Sequence, residues 1–363
     1  MPLNQEEIRE LEAEIASLKS TLQRYSYLFE ADDDANDEDL ERLIELVDNI
    51  QDIQEELAEL KAEELSPNPR LLERHILEGH EDHDHTDPDQ QNHNHTGKIV
   101  DLTKDTERMV TLFKTGKDPY DDSDDDNSVS HNDVDQGSIG DCYFMAAVGA
   151  VAKANPQAIK NLISGPDSDG NYKVKLYVNK NNTQLFSWRS YEMVTITPEF
   201  LVNSSGKPIY AGLGDGELWV MLLEKAYAIL RGKAKWFKPA NDYAGIEGGS
   251  GEEVIEVLTG QEADRFSISS LTDEVLIEKI TDALDNKKPI TTSTPSEYTE
   301  AQKSDMATRG VSLYASHVYY ILAIDSDEIT LRNPHNNSTA TGRTFKLSME
   351  NYKKFFTALS RQQ

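Results

Sequence analysis

The sequence predicts an α+β protein with a helical segment at its amino terminus, and three patterns support this fold class. Apolar residues recur in alternating steps of three and four over residues 8–22, which is typical of a coiled-coil helix. A second apolar helix pattern begins at Cys142 and ends before the pair Asn155-Pro156. Two runs rich in β-branched and aromatic residues, 318–324 and 328–332, predict strands joined by a short turn.

Residues 1–64 are predicted to form a helical unit of their own. A first helix over residues 3–29 is broken by the acidic run 31–37, and a second helix covers residues 37–64. Two amphipathic helices with a polar break between them indicate either an antiparallel hairpin or an oligomerising coiled coil. The second alternative predicts a homo-oligomer that assembles through these helices.

Residues 65–97 are predicted to be a disordered linker, because apolar residues nearly vanish after Leu77. Imidazole groups along this stretch offer ligands to zinc or nickel. They belong to His80, His83, His85, His93 and His95. A solvated spacer is the alternative, since a flexible histidine tract without a preformed geometry binds metal weakly.

Composition restricts the partners and the compartment. The 363 residues carry 66 acidic against 36 basic side chains, a net charge of -30, which argues against nucleic acid or an anionic membrane as the main partner. A single cysteine excludes an internal disulfide framework. Neither a secretory leader nor a run of about 18 apolar residues is present, so the sequence predicts a soluble, cytoplasmic protein.

The single cysteine lies where a helix is predicted to start. The turn 137–140 is rich in glycine, and Asp141 is a good N-cap candidate, so Cys142 falls in the first helical turn. Free N–H groups and the helix dipole at this point lower the pKa of a thiol and favour the reactive thiolate. Gln136 and the Cys142 N–H are then two candidate donors for an oxyanion. A buried cysteine that serves only in packing is the alternative.

A base for this thiol is predicted at the far end of the chain. The runs 318–324 and 328–332 flank the turn 325–327, so an antiparallel hairpin places His317 and Asn333 almost opposite each other. An amide in that position orients an imidazole and fixes its tautomer, which is what a histidine base requires.

Three segments resemble motifs of the calpain cysteine peptidase family. Residues 136–144, QGSIGDCYF, resemble its nucleophile motif, usually QGxLGDCWF. Residues 316–319, SHVY, resemble its GHAY segment, and residues 331–334, LRNP, resemble its RNP segment. The resemblance implies a cysteine endopeptidase that cuts protein or peptide substrates.

Two further segments extend the resemblance over about residues 98–363. Residues 216–230, GELWVMLLEKAYAIL, are similar to a first-lobe helix of the family, and Gly248-Gly249 is similar to its junction between lobes. The resemblance therefore implies a two-lobed papain-like fold. A helical lobe would span residues 98–249, and a β-rich lobe would span residues 250–363.

The resemblance also implies a role for each candidate residue. Cys142 would be the nucleophile, His317 the base and acid, Asn333 its orienting amide, and Gln136 a donor of the oxyanion hole. The chain departs from the family pattern at three positions. Two of them are Tyr143 and His335 in place of tryptophans, the second of which shields the catalytic asparagine from water. The third is Ser316 in place of a glycine.

Calcium is the cofactor that the resemblance implies, with one site in the first lobe. The matching positions are the carboxylates of Asp133 and Glu217 and the carbonyl groups of Asp126 and Ser128. A merely solvated acidic loop is the alternative. The segment that matches the second-lobe site, 336–344, carries no carboxylate, so calcium dependence is predicted to be partial or absent.

The layout of the chain also predicts a route of activation. An acidic linker ahead of a peptidase predicts that residues 65–130 are an activation segment open to self-cleavage.

Two other classes of protein are alternatives to a peptidase. One is a scaffold or pseudoenzyme that assembles through its amino-terminal helices. The other is a papain-fold acyl transferase. The asparagine and the upstream Gln136 favour a peptidase over this alternative.

Overall fold

The computed structural model divides the chain into two compact units, Met1–Asn68 and Pro69–Gln363. Besides Ile15, Leu18 and Lys19, it describes residues 98–104, 110–113, 129–178, 190–214, 216–233, 243–335 and 343–363. The three separate positions are helical. The remainder of the predicted helices at 3–29 and 37–64, and the linker 65–97, lie outside the described residues.

The elements of the second unit alternate between short helices and strands. Its helices are α1 (Cys142–Ala154), α2 (Pro156–Leu162), α3 (Trp219–Lys233), α4 (Gly251–Thr259), α5 (Asp273–Asp285), α6 (Glu300–Arg309) and α7 (Met349–Phe355). Its strands are β1 (Lys98–Asp101), β2 (Ile163–Ser164), β3 (Tyr172–Val178), β4 (Ser190–Ile196), β5 (Glu199–Val202), β6 (Ala263–Ser267), β7 (Ile290–Ser293), β8 (Val318–Asp325), β9 (Glu328–Arg332), β10 (Thr344–Ser348) and β11 (Ala358–Gln362).

Within the described residues the strands form three antiparallel sheets. β1 pairs with β5, and β2, β3 and β4 follow one another in a three-stranded sheet. The largest sheet has six strands in the order β10-β9-β8-β7-β11-β6. The carboxyl-terminal strand β11 therefore lies inside the sheet between β7 and β6, so the end of the chain is part of the fold.

Helix α1 is the central helix of the unit. Every residue from Cys142 to Ala152 is buried, because the sequence is apolar all round rather than on one face. Gly149 lets β8 approach, since a β-carbon there would lie 2.7 Å from Cζ of Tyr320. The helix ends at Ala154, and Asn155 then caps α2 by accepting the Ala158 N–H. The predicted start and end of this helix are confirmed.

The predicted hairpin near the carboxyl terminus is also confirmed. β8 covers Val318–Asp325 and β9 covers Glu328–Arg332, in antiparallel register. A bulge between Ile321 and Ala323 shifts the register by one residue. Ser326 in the turn has a positive φ of 54°, which a tight two-residue hairpin turn requires.

Two apolar clusters build the unit. The first runs from Leu102 to Leu258 and is joined by Val318 and Tyr320. The second runs from Ile268 to Leu359 and includes the inner faces of α5 and β9. Helix α4, which follows the glycine pair at 248–249, packs in the first cluster through Val254, Ile255 and Leu258. No helix among the described residues is both long enough and apolar enough to cross a membrane.

Candidate active site

The loop before α1 brings Cys142 to the surface of a cleft. Gly137 passes so close to the neighbouring chain that a β-carbon on it would lie 2.0 Å from the carbonyl oxygen of Tyr210. This contact requires glycine and sets the path of the loop into α1. Cys142 is the first residue of the helix and keeps about 9% of its surface exposed. The cleft has a volume of about 1240 Å³ and is lined by Gln136, Cys142 and His317, among others.

His317 is held by its backbone at the edge of the six-stranded sheet. Its N–H donates to Thr294 Oγ1 at 3.0 Å, and its carbonyl oxygen accepts the Thr294 N–H at 2.9 Å. The preceding Ser316 has a φ of 51°, in the left-handed region. This strained conformation is the physical reason that a glycine suits position 316, and here a serine adopts it.

The predicted pairing of His317 with Asn333 is confirmed. His317 Nε2 lies 2.8 Å from Asn333 Oδ1, and both side chains are buried. Asn333 Oδ1 also accepts the backbone N–H of His335 at 3.0 Å, which fixes the amide with its oxygen toward the ring. Because that oxygen is an acceptor, Nε2 carries the proton and Nδ1 is left with a free electron pair.

Aromatic rings enclose the imidazole of His317. His335 stacks on it with ring centroids 5.4 Å apart and planes 9° apart. Tyr314 and Tyr319 meet it edge-on at 5.5 and 4.8 Å. His335 thus lies where the resemblance placed a shielding tryptophan; its ring stacks on the histidine, and its backbone N–H donates to the Asn333 amide oxygen.

The sulfur of Cys142 lies near the backbone groups of the residues that precede and follow His317. Sγ lies 4.0 Å from the carbonyl oxygen of Ser316, and the N–H of Val318 points toward the same sulfur. Burial raises the pKa of the Cys142 thiol to about 12, and the N–H groups at the helix start offset only part of this effect. The N–H groups at the helix start therefore act in the predicted direction, but burial is the larger effect and leaves the net pKa of the thiol above its ordinary value.

Burial acts on the base in the same way. The pKa of His317 is lowered to about 3, mainly by burial and to a smaller extent by the nearby His335, while the hydrogen bond to Asn333 offsets only part of the shift. At neutral pH the thiol is therefore protonated and the imidazole is uncharged. Burial thus disfavours the charged form of both groups.

Gln136 connects the two sides of the cleft. Its backbone N–H donates to the carbonyl oxygen of Pro334 at 3.0 Å, next to Asn333. Its side-chain Nε2 donates to the Ile139 carbonyl oxygen at 2.8 Å. One amide hydrogen is used in this bond, so the second is available to a group in the cleft. The buried Oε1 has no hydrogen-bond partner in the described part of the chain.

The predicted calcium ligands are only partly described. Asp133 and Glu217 are both buried. Oδ2 of Asp133 accepts hydrogen bonds from the Ser130 N–H at 2.8 Å and from the Trp219 indole at 3.2 Å. The two carboxylates suit calcium in kind, but one oxygen of Asp133 is already engaged by two donors.

The other two predicted ligands, Asp126 and Ser128, lie outside the described residues. Within the described ranges, no group of three or more histidine, cysteine, aspartate or glutamate side chains is arranged to hold a metal ion. The described residues therefore supply half of the predicted ligand set.

Two residues beside the site escaped prediction from the sequence. Thr294 positions the His317 backbone from β7, and Tyr314 packs on the rings of both His317 and His335. Neither residue lies in a motif or a diagnostic spacing. A register prediction for β7 against β8 would have revealed Thr294, because the pairing of Ser293 with Val318 places Thr294 opposite His317.

A cysteine at a helix start that shares a cleft with a histidine–asparagine pair is the arrangement of papain-like cysteine proteases. Residues 123–352 match the sequence profile of the calpain family cysteine proteases. This match covers more than half of the chain, so the chain belongs to the calpain family. The predicted fold class, a mixed helix and sheet papain-like domain, is confirmed.

Individual relatives share a limited part of the sequence. The calpain-type cysteine protease DEK1 of Zea mays is 30% identical over 146 residues, 39% of this chain and 6% of that protein. Calpain-13 of Rattus norvegicus is 26% identical over 223 residues, 59% of this chain and 30% of that protein. Calpain-9 of Mus musculus is 24% identical over 199 residues, 54% of this chain and 26% of that protein. The chain thus spans less than a third of the length of these relatives.

Proposed function

We propose that this chain is a cysteine endopeptidase in which Cys142, His317 and Asn333 form the catalytic triad. The observation that carries the proposal is the 2.8 Å hydrogen bond from His317 to Asn333 in the cleft that also contains Cys142. The bond leaves Nδ1 of His317 as the acceptor that a general base needs. Its substrates are proteins, as membership in a protease family implies.

The reaction follows from the positions of these groups. As Sγ of Cys142 bonds to the peptide carbonyl carbon, its proton moves to Nδ1 of His317. The oxyanion that forms accepts the Cys142 N–H, which has no partner within its helix, and the free Nε2–H of Gln136. His317 then gives its proton to the leaving amine, and water, deprotonated by His317, releases the acyl group from sulfur.

Burial of the thiol and imidazole fits this concerted proton transfer. Both groups are uncharged before substrate binds, and Asn333 stabilises the imidazolium only as it forms. His335 stacks on the imidazole face and would shield the imidazolium from water as it forms. The cleft wall is therefore arranged to stabilise charge that appears during the reaction.

Cleavage of quenched-fluorescent casein by wild type and by Cys142→Ala tests the proposal. We expect the variant to lose at least about 10⁴-fold in kcat. Because Cys142 is the one cysteine of the chain, iodoacetamide labelling and mass spectrometry verify the thiol independently. Equal background release from both proteins would refute peptidase activity and favour a scaffold, and amine incorporation into casein in its place would indicate acyl transfer.

Calcium is proposed to modulate this activity through Asp133 and Glu217, with the carbonyl groups of Asp126 and Ser128. Calcium bound there would hold the segment that leads from Asp133 to Gln136, and it would take no part in the chemical steps. Isothermal titration of calcium into wild type and Glu217→Gln measures binding without reference to activity. Equal heats for the two proteins would remove this site.

Self-processing within residues 65–130 is proposed as the route of activation. Intact mass after incubation of wild type and Cys142→Ala measures it directly. A fragment that forms in wild type and not in the variant supports self-cleavage, and identical intact masses would contradict it.

Assembly through the amino-terminal helices is proposed as well, and sedimentation of the full chain against a chain without residues 1–64 measures it.

A further inference from the structure

A fully buried carboxyl group precedes the nucleophile. Asp141 has no exposed surface and occupies the N-cap position of α1. An aspartate there normally accepts an N–H group from the first turn of the helix, but the side chain of Asp141 makes no such bond. Neither of its oxygens has a hydrogen-bond donor among the described residues. The group therefore serves another purpose than helix capping.

A second buried carboxyl group lies beside it. Glu224 on α3 is 1% exposed, and its two oxygens share one donor, the N–H of Ala211, at 3.1 Å each. Asp141 and Glu224 lie within hydrogen-bonding reach of each other. Ionised carboxylates only accept hydrogen bonds, so two of them in contact and away from water require a proton.

The surroundings of the pair supply no compensating positive charge. No lysine or arginine in the described part of the chain forms a salt bridge with either carboxyl group, and the acidic Glu247 adds a like charge. Lys225, next to Glu224 in sequence, donates to the carbonyl oxygens of Thr197 and Glu199. Burial raises the pKa of Asp141 to about 8 and raises the pKa of Glu224 well above its ordinary value.

Gln136 completes the cluster. It lies within hydrogen-bonding reach of Asp141, where it offsets a small part of the effect of burial on the Asp141 pKa, and its Nε2 donates to Ile139. Its buried Oε1 lacks a donor, like both oxygens of Asp141. Three buried acceptor oxygens of these two residues thus lack donors, and a protonated carboxyl would supply one.

We propose that Asp141, protonated and supported by Glu224, donates a hydrogen bond to Oε1 of Gln136 and so positions the Gln136 amide for the oxyanion. Asp141 and Glu224 are positioning residues, because they act through Gln136 and do not touch the substrate. This inference rests on the proposed peptidase function for its catalytic consequence, while the proton and the amide orientation exist with or without catalysis.

The proposed hydrogen bond from Asp141 to Gln136 should depend on pH, and the raised pKa of Asp141 sets the direction of this dependence. Below about pH 8 Asp141 keeps its proton, and the donor to Gln136 is present. Above this pH the proton leaves, the carboxylate repels Glu224 and Oε1 of Gln136, and the amide loses its orientation. The groups that face Asp141 are Glu224 on α3, Glu247 in the loop before α4, Gln136, and Cys142 and Tyr143 on α1.

Infrared spectroscopy tests the proton without any assay of activity. We expect wild type at pH 7 to show the carbonyl band of a buried protonated carboxyl that is lost by pH 10. The band should diminish in Asp141→Asn and in Glu224→Gln. Absence of the pH-dependent band from wild type would overturn the proposal, whether or not the protein is a peptidase.

The amide orientation has its own measurement. With ¹⁵N-glutamine labelling, the side-chain resonance that disappears in Gln136→Asn reports on Gln136. It should shift with a midpoint near pH 8 in wild type and stay constant with pH in Asp141→Asn, whose amide keeps a donor. A pH-independent resonance in wild type would overturn the link to Gln136.

Kinetics then measure the catalytic consequence. Asp141→Asn should retain kcat within a few-fold at pH 7 and lose the alkaline decline, while Asp141→Ala should lose about ten- to a hundredfold in kcat at unchanged KM. The double variant with Gln136→Ala should be no slower than Gln136→Ala alone, since both changes remove one interaction. Additive losses would overturn the positioning role. If wild type lacks activity, the infrared and resonance measurements still decide the proposal.

Discussion

The two walls of the cleft satisfy their polar groups in different ways. On the hairpin wall, which we define as His317, Asn333 and Thr294, Nε2 of His317 and Oγ1 of Thr294 each have a partner within 3.0 Å, and Asn333 Oδ1 has two. On the helix wall, defined as Gln136, Asp141 and Cys142, three buried oxygens lack donors. These hydrogen bonds hold the side chains of the hairpin wall, whereas the helix wall, on our proposal, needs a proton on Asp141. Substitutions in the two walls should reveal this difference.

The largest effect is expected for His317 on the hairpin wall. His317→Ala removes the base and should lower kcat by about 10⁴-fold. His335→Ala is the matched control, because it removes the stacked imidazole and leaves the base. Casein cleavage by the two variants measures the difference, and a His317→Ala variant with kcat close to that of wild type would show that His317 is not the base.

Asn333 should come next, with a loss in both rate and stability. Asn333→Ala leaves Nε2 of a buried imidazole without an acceptor, which costs about 1–3 kcal/mol in the free energy of unfolding. The ring is then free to adopt the wrong tautomer, so we expect kcat to fall by about 10²-fold. Urea unfolding and kinetics of Asn333→Ala and Asn333→Asp measure both effects. A stable and fully active Asn333→Ala would remove the residue from the triad.

Gly137 tests how closely the helix wall depends on the loop before α1. A β-carbon would lie 2.0 Å from a backbone oxygen of Tyr210, so Gly137→Ala has to displace the loop that carries Gln136 into the site. We expect kcat to fall by about 10²-fold, because misplacement by about 1 Å has effects of that size. Gly149→Ala is the control, since it crowds Tyr320 in the core and should cost about 1–3 kcal/mol in stability with less effect on kcat.

The raised pKa of Asp141 predicts that the free energy of unfolding depends on pH. The pKa of Asp141 is raised in the folded protein, so the stability that it contributes is complete at low pH and is lost as pH rises from about 4 to about 8. Asp141→Asn should flatten this part of the curve of unfolding free energy against pH. Chemical denaturation between pH 5 and pH 9 measures it, and an unchanged slope in the variant would assign the dependence to other groups.

The smallest effect is expected for the charge of His335. The neighbouring imidazole lowers the pKa of His317, so His335→Phe should raise that pKa and move the acid limb of activity to higher pH. The shift should be less than about one pH unit, because burial is the larger cause. A pH profile of kcat/KM for wild type and His335→Phe checks it, and a shift to lower pH would contradict the assigned sign.

Short-range patterns predicted the elements that carry the site. The apolar run from Cys142 to Ala154 and its Asn155-Pro156 end predicted α1, and the turn at 325–327 predicted the hairpin. The pairing of His317 with Asn333 followed from the hairpin, since register is a local property of a turn and two strands. The order of the six-stranded sheet, with β11 between β7 and β6, was not predicted, because no local pattern specifies which distant strands pair.

The sequence by itself therefore determined α1, the hairpin, the family and the residue types that share the cleft. Only the tertiary structure decided the direction in which the pKa values of these residues are shifted. Burial raises the pKa of Cys142 although the helix start favours the thiolate. The packing of α1 and α3 in the fold places Asp141 beside Glu224. Desolvation and contacts between distant segments depend on what surrounds a group in space, and spacing along the chain carries no measure of that.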